Sequence, residues 1–233
     1  MTTNVQAHIN EAHTKAQQSW FYQGWELFKK APFSLFLFMI IPMVLAGLMQ
    51  LLPAPYSIVL SKFCAWLLAA MVWPVMHHLD QHNKVSVTAI FAAPGWSKMP
   101  LMALCGLTVF AFEVLVAFLL LGSQGIELTL WGKINNVAPW QLGVIFATSA
   151  PIAVALSLAT ACCLLCSTPV FAAIKRSLKV CLNANKALAL LIVINALALF
   201  IAPFTFALGS LLLAPWLTCV GYYAYRSMFT TNG

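Results

Sequence analysis

Followed for its apolar and polar positions, the chain is a series of long apolar runs broken by short polar ones. The run from Ala187 to Tyr225 contains no Asp, Glu, Lys or Arg. At about 20 residues per crossing, it is too long for one membrane span and long enough for two. Its break falls at APFTFALGS, and it closes on Tyr222, Tyr223, Tyr225 and Arg226, the aromatic and cationic girdle expected at a membrane surface. Just before it, FAAIKRSLKVCLNANK places Phe171, Ile174, Leu178 and Cys181 on one helical face and Lys175, Arg176 and Lys179 largely off that face. That pattern predicts a basic amphipathic helix lying in the membrane plane. The unit is therefore an in-plane helix followed by a transmembrane hairpin.

The same order recurs twice upstream. WFYQGWELFKKAP turns Trp20, Phe21, Gly24, Trp25 and Phe28 to one side and ends in Lys29 and Lys30, so Trp20, Trp25 and the two lysines read as interface anchors. Two spans follow, about 33–52 and 58–76, with Lys62 in the first turn of the second, where it reaches the interface. HHLDQHNK is expected as a loop. A weaker amphipathic stretch, VSVTAIFAAPGWSKMP, leads into spans at about 99–121 and 141–167, joined by a long loop carrying Trp131 and Trp140. The fourth span is rich in Ala, Ser, Thr and Cys, and small residues permit close helix approach, so it is expected at the bundle centre. The prediction is an all-α polytopic membrane bundle: six transmembrane helices as three hairpins, each preceded by a short amphipathic in-plane helix. A polar cytoplasmic tail (1–19) precedes a single domain (20–229) of repeat units about 20–76, 85–167 and 169–226, with a short tail at 230–233.

Composition agrees, with 62% hydrophobic and 7% charged residues against about 25% charged in a soluble chain. The formal charge of +7 sits beside the apolar runs rather than in a basic domain of its own. It therefore implies contact with anionic lipid headgroups and no nucleic acid. Ten of the twelve Lys and Arg residues fall on one side of the predicted topology, with Lys62 and Lys133 on the other. Both termini are then expected in the cytoplasm and the chain in the bacterial inner membrane, its first span an uncleaved anchor. Seven cysteines lie in or beside the apolar runs without the spacing of a disulfide framework, which predicts free thiols.

GWELFKKAP near the start, PVFAAIKRSLKVCLNANKALALL, and APWLTCVGYYAYRSMF near the end together resemble an uncharacterised family of proteobacterial inner-membrane proteins. That family is distantly similar to YciC-like membrane proteins. The shared positions are Gly24, Trp25, Leu27, Phe28 and Pro32; Pro169, Ala172 or Ala173, Lys175, Ser177, Cys181 and Asn185; and Tyr222, Tyr225 and Arg226. The resemblance implies a membrane domain and brings no activity with it.

Few residues offer chemistry. Glu113 is the carboxylate well inside a span, and an ionisable group there costs about 2.5–3.5 kcal/mol on the insertion scale. It reads either as a proton or cation site or as a structural hydrogen-bonding group for the Ser/Thr face of the fourth span, through Ser157 or Thr160, with no cation assigned to it. His77, His78, Asp80 and His82 form a candidate metal set, His78 and His82 being one helical turn apart. Cys162, Cys163 and Cys166 make a weaker thiolate set, since thiols in an apolar bundle stay protonated. No GxSxG, HExxH, P-loop or dinucleotide fingerprint appears, and five acidic residues leave little for acid–base catalysis. The expectation is a non-catalytic membrane protein without a cofactor that acts by binding: an accessory or scaffold subunit, or an immunity-type protein that neutralises a partner in the membrane. The alternative is a small transporter of solute, ion or lipid that uses Glu113. A polar cavity reaching Glu113 would favour transport.

Overall fold

The computed structural model describes residues 20–133, 137–183 and 186–229. The expected tail at 1–19, the closing 230–233 and Asn185 of the shared motif lie outside them. No strand occurs among the described residues.

Helix α1 (residues 20–30) buries Trp20, Gly24 and Leu27, spaced by one helical turn, and exposes Tyr22, Trp25, Lys29 and Lys30. The pair α2 (Pro32–Met49) and α3 (Tyr56–Ala70) pack on each other. Pro32 opens α2, where its missing N–H would have had no partner anyway. Helix α4 (Val72–His82) continues α3 almost without pause, so the stretch expected as a loop at His77–His82 is helical. It ends at Asn83, whose left-handed backbone (φ 54°) an asparagine tolerates well.

The second amphipathic segment is not a regular in-plane helix. It is a single turn, α5 (Thr88–Phe91), followed by a 3₁₀ turn at Trp96–Lys98. Helix α6 (Met99–Leu121) then runs to Gly122. The loop expected after it contains a helix, α7 (Ser123–Trp131), which folds back on α6. Two glycines at positive φ bracket α7, Gly122 (61°) and Gly132 (66°), and at Gly125 any β-carbon would collide with the Ala117 carbonyl. Helix α8 (Pro139–Cys166) bends by 42° between Thr148 and Ala150. Pro151 has no N–H to give the preceding turn, which accounts for the bend. Helices α9 (Val170–Leu182), α10 (Lys186–Ile201) and α11 (Leu208–Phe229) complete the chain.

Among the described residues four stretches are long and apolar enough to cross a membrane: Pro32–Met49, Tyr56–His82, Trp96–Leu121 and Lys186–Thr205, with α8 a fifth if its bent halves form one span. The protein is an all-helical membrane protein. Helix α11 falls short of the same test although it has 22 residues, because Gly209, Ser210, Pro215, Trp216 and three tyrosines dilute its hydropathy.

Helix α8 touches α3, α4, α6, α9, α10 and α11 and is the centre of the bundle. Its Ala- and Cys-rich half packs against α4 and the end of α11 around Met76, Leu79, Ala159, Cys162, Cys163, Cys219 and Val220, all fully enclosed. At the other extreme, α2 buries Leu35 alone and exposes Leu37, Val44 and Leu48. Such a surface suits lipid tails, which are as apolar as the side chains they meet.

Helix α9 carries a packed face in addition to its apolar and cationic ones. Val170, Ala173 and Ser177 turn inward, while Phe171 and Leu178 are exposed. Small residues win the inner face because α9 lies against the small-residue surface of α8, where the Ser177 hydroxyl donates to the Ala155 carbonyl at 2.6 Å. Lys175, Arg176 and Lys179 occupy the third, polar face, so apolar, cationic and packed surfaces are separated around one short helix.

Candidate functional site

Two polar clusters stand out, one within the span helices and one at the end of the bundle that carries His82 and Phe229. In the first, the Lys62 ammonium donates to Glu113 Oε2 at 2.7 Å, joining α3 to α6. The expected hydrogen bonds from Glu113 to Ser157 or Thr160 are not made. Thr160 donates to the Leu156 carbonyl of its own helix at 2.8 Å, and Ser157 lines a cavity elsewhere along α8. The hydroxyl facing Glu113 is that of Ser149, 3.3 Å from Oε1. Ser149 also lies 2.7 Å from the Phe146 carbonyl. One hydroxyl carries one proton, so the nearer carbonyl is favoured and the carboxylate depends mainly on Lys62.

The surroundings of Lys62 explain how a lysine is tolerated there. Its ammonium lies 5.4 Å from the Phe110 ring centre and 5.7 Å from that of Phe146, on the faces where aromatic quadrupoles attract cations. Gly106 lets α3 approach α6 at this level: a β-carbon there would sit 2.6 Å from Trp66 Cβ and 3.0 Å from the Lys62 carbonyl. The interface position expected for Lys62 follows from its place in the first turn of the span at about 58–76. The signal that could have found the pair was the presence of one opposite charge in each of two successive spans.

The second cluster is built on Asp80. Its carboxylate accepts from Arg226, from the Tyr223 hydroxyl at 2.7 Å and from the Tyr222 hydroxyl at 3.3 Å. The Tyr222 oxygen also lies 3.1 Å from His77 Nδ1. The four residues expected as a metal set are thereby separated. Asp80 and His77 face α11, whereas His78 Nδ1 is 2.9 Å from the Lys84 carbonyl and His82 Nδ1 is 3.3 Å from the His78 carbonyl. His78 and His82 stack with ring centres 4.4 Å apart instead of converging on a point. Among the described residues no three His, Cys, Asp or Glu are placed to hold a metal ion.

Several expected interface anchors prove to be interior residues. Trp20 packs in the core at 4% exposure, and Tyr222 and Tyr225 are enclosed at 0% and 2%. Their polar groups are used internally: the Tyr225 hydroxyl meets Cys166 Sγ at 3.0 Å, and its ring contacts Trp73. Trp25, Lys29, Lys30, Lys175 and Lys179 remain exposed. Arg176 donates to the Phe229 carbonyl at 3.1 Å and stacks over that ring, and Arg226 is engaged by Asp80. Cys162, Cys163 and Cys166 are free thiols, and Cys162 Sγ lies 3.5 Å from the Thr168 hydroxyl.

Between the two clusters lies a cavity of about 330 Å³, walled by α3, α4, α8, α10 and α11. Its lining is mainly Ala, Leu, Val and the rings of Trp66 and Trp73, with hydroxyl and carboxamide groups from Ser157, Asn195, Ser210 and Thr218. Neither Glu113 nor Lys62 lines it. No family model, curated protein or solved structure matches this chain.

Proposed function

We propose that this is a non-catalytic integral membrane protein that acts by binding, as an accessory or scaffold subunit or as an immunity-type protein that neutralises a partner in the membrane. One observation carries the choice over transport. Glu113, the group a transporter would use, is paired with Lys62 at 2.7 Å, and its side chain is 10% exposed. The cavity nearby is mainly apolar and does not reach it. A translocation site needs a polar route to its ionisable group, and a neutralised pair packed by Phe110 and Phe146 is a structural joint instead.

The topology in this proposal is six spans in three hairpins, with α11 as the sixth, both termini in the cytoplasm and the chain in a bacterial inner membrane, in a proteobacterial family distantly similar to YciC-like membrane proteins. Its support is the adjacency of α2 with α3, α6 with α8, and α10 with α11, together with the sidedness of the cations. In this arrangement α1 and α9 contact anionic headgroups, and a second membrane protein is the partner.

The test is a mild-detergent pull-down of the tagged protein from its native membrane, with Glu113→Gln beside the wild type. Recovery of one stoichiometric partner by both proteins is expected. Absence of a partner, together with loss of a cellular phenotype in Glu113→Gln at normal protein level, would overturn the binding reading in favour of transport. C-terminal reporter fusions test the topology, and a periplasmic C-terminus would sink the three-hairpin arrangement.

A further inference from the structure

We infer that the cavity between α3, α4, α8, α10 and α11 is a binding site for a small, neutral, largely hydrocarbon alcohol dissolved in the membrane. This holds whether or not a protein partner exists, because it rests on the cavity alone.

The lining sets the chemistry of the occupant. Among the described residues no charged side chain lines the space, so an ionised ligand would enter uncompensated at a cost of several kcal/mol. Three of its walls, α8, α10 and α11, carry polar groups that the chain satisfies unevenly. Asn195 lies nine residues from the start of α10, about 13.5 Å along it, and donates its amide Nδ2 to the Leu191 carbonyl at 2.8 Å. Its carboxamide oxygen has no partner among the described residues, and neither has the Ser157 hydroxyl. Thr218 donates to the Ala214 carbonyl at 2.8 Å and retains its acceptor capacity. In hydrocarbon no water stands ready to complete these groups. A hydroxyl does so in one step, since it donates one hydrogen bond, to Asn195, and accepts others, from Ser157.

The volume sets the size. A cavity of about 150 Å³ takes a six-carbon ring, so about 330 Å³ corresponds to about a dozen heavy atoms. A transmembrane helix from a partner is too large to be the occupant, because two turns of helix, about 11 Å long and 10 Å wide, fill about 850 Å³. An ordinary lipid tail fits by volume but leaves Asn195 and Ser157 as they are. Discrimination between an alcohol and an alkane of equal length therefore decides the matter.

The full chain is reconstituted in lipid nanodiscs and titrated with a bromine-tagged eleven-carbon alcohol and, separately, with the bromine-tagged alkane of that length. The readout is quenching in a background that keeps Trp66 and Trp73, both in the cavity wall, and carries Phe at the other six tryptophans. The alcohol is expected to give saturable quenching at about tenfold lower mole fraction than the alkane, the net worth of about one hydrogen bond. Asn195→Leu should remove that preference while retaining alkane quenching, and Ala153→Phe should fill the space and abolish saturable quenching by both. Ser157→Ala, a smaller change, reduces the preference and carries the test if Asn195→Leu does not fold. Equal titration of alcohol and alkane in that background would overturn the inference in favour of an ordinary lipid tail. So would a preference that survives both Asn195→Leu and Ser157→Ala, or quenching unaffected by Ala153→Phe.

Discussion

Removing Lys62 should destabilise the protein more than neutralising Glu113, even though each change breaks the same 2.7 Å contact. The asymmetry follows from what is left behind. In Lys62→Met the Glu113 carboxylate stays enclosed, with 10% of its side chain exposed. Its remaining hydroxyl neighbour, Ser149, lies nearer the Phe146 carbonyl at 2.7 Å than Oε1 at 3.3 Å. An uncompensated buried charge costs about 3–5 kcal/mol, and partial exposure of the site lowers that to about 2–4 kcal/mol. In Glu113→Gln the survivor is a flexible lysine, 35% exposed. It sits six residues from the start of α3, about 9 Å, within reach of the interface by extending its stem. It also keeps the rings of Phe110 and Phe146, so the loss should be about 1 kcal/mol. Replacing both residues, Lys62→Met with Glu113→Leu, removes charge and partner together and should return stability to within about 1 kcal/mol of wild type. The coupling energy is then about 2–5 kcal/mol. Reversible unfolding in mixed micelles, followed by tryptophan fluorescence and far-ultraviolet circular dichroism, measures all four proteins. Equal costs for the two single changes, or a double variant whose loss is their sum, would refute the pairing as described.

The glycines give a matched comparison. Gly106→Ala must push Trp66, 2.6 Å from the new carbon, and is expected to lower the thermal midpoint by an overpacking cost of about 1–3 kcal/mol. Gly47→Ala, with nothing within 4 Å, should be neutral or stabilising by up to about 1 kcal/mol. Asp80→Asn removes a carboxylate from Arg226 and weakens two tyrosine hydrogen bonds, and a loss of about 1–3 kcal/mol should appear in the same unfolding assay. Burial pushes the Cys181 thiol above its ordinary range, so at pH 7–8 it holds less thiolate than an exposed cysteine. In a variant keeping Cys181 alone, maleimide labelling should be slow at neutral pH and accelerate as the pH rises. A rate already at its plateau at pH 7 would refute that environment.

The spans were legible because a bilayer demands long apolar runs, and α2, α3, α6, α8 and α10 lie close to the expected positions. Hydropathy alone does not separate the residues that face protein from those that face lipid. On α9 the hydrophobic stripe leaves Phe171 and Leu178 exposed, and the most enclosed side is the one carrying Ala173 and Ser177, which no hydropathy pattern singles out. Tyr222 and Tyr225 look like surface anchors in sequence, yet their hydroxyls have partners on α4 and α8 that lie far away along the chain. The Lys62–Glu113 contact spans 51 residues, and Ser149 is one of several small polar residues on α8. Spacing cannot rank such candidates without knowing which side of each helix meets the other. The polar stretch at His77–His82 reads as a loop because it is hydrophilic, and it stays helical because Asp80 finds Arg226 and two tyrosines on α11.

Where α5 leads into α6, Gly95 N–H donates to the Leu164 carbonyl at 3.0 Å, and the Lys98 ammonium reaches the carbonyls of Ser167 and Thr168. These bonds join the two ends of a stretch nearly 70 residues apart in sequence. The ribosome delivers the chain from the N-terminus, so the clasp cannot close until Thr168 has emerged. Once it closes, the stretch from Gly95 to Thr168 is a loop whose exit lies next to its entrance. Helices α9 to α11 are made after Thr168, so this clasp can close before any of them exists.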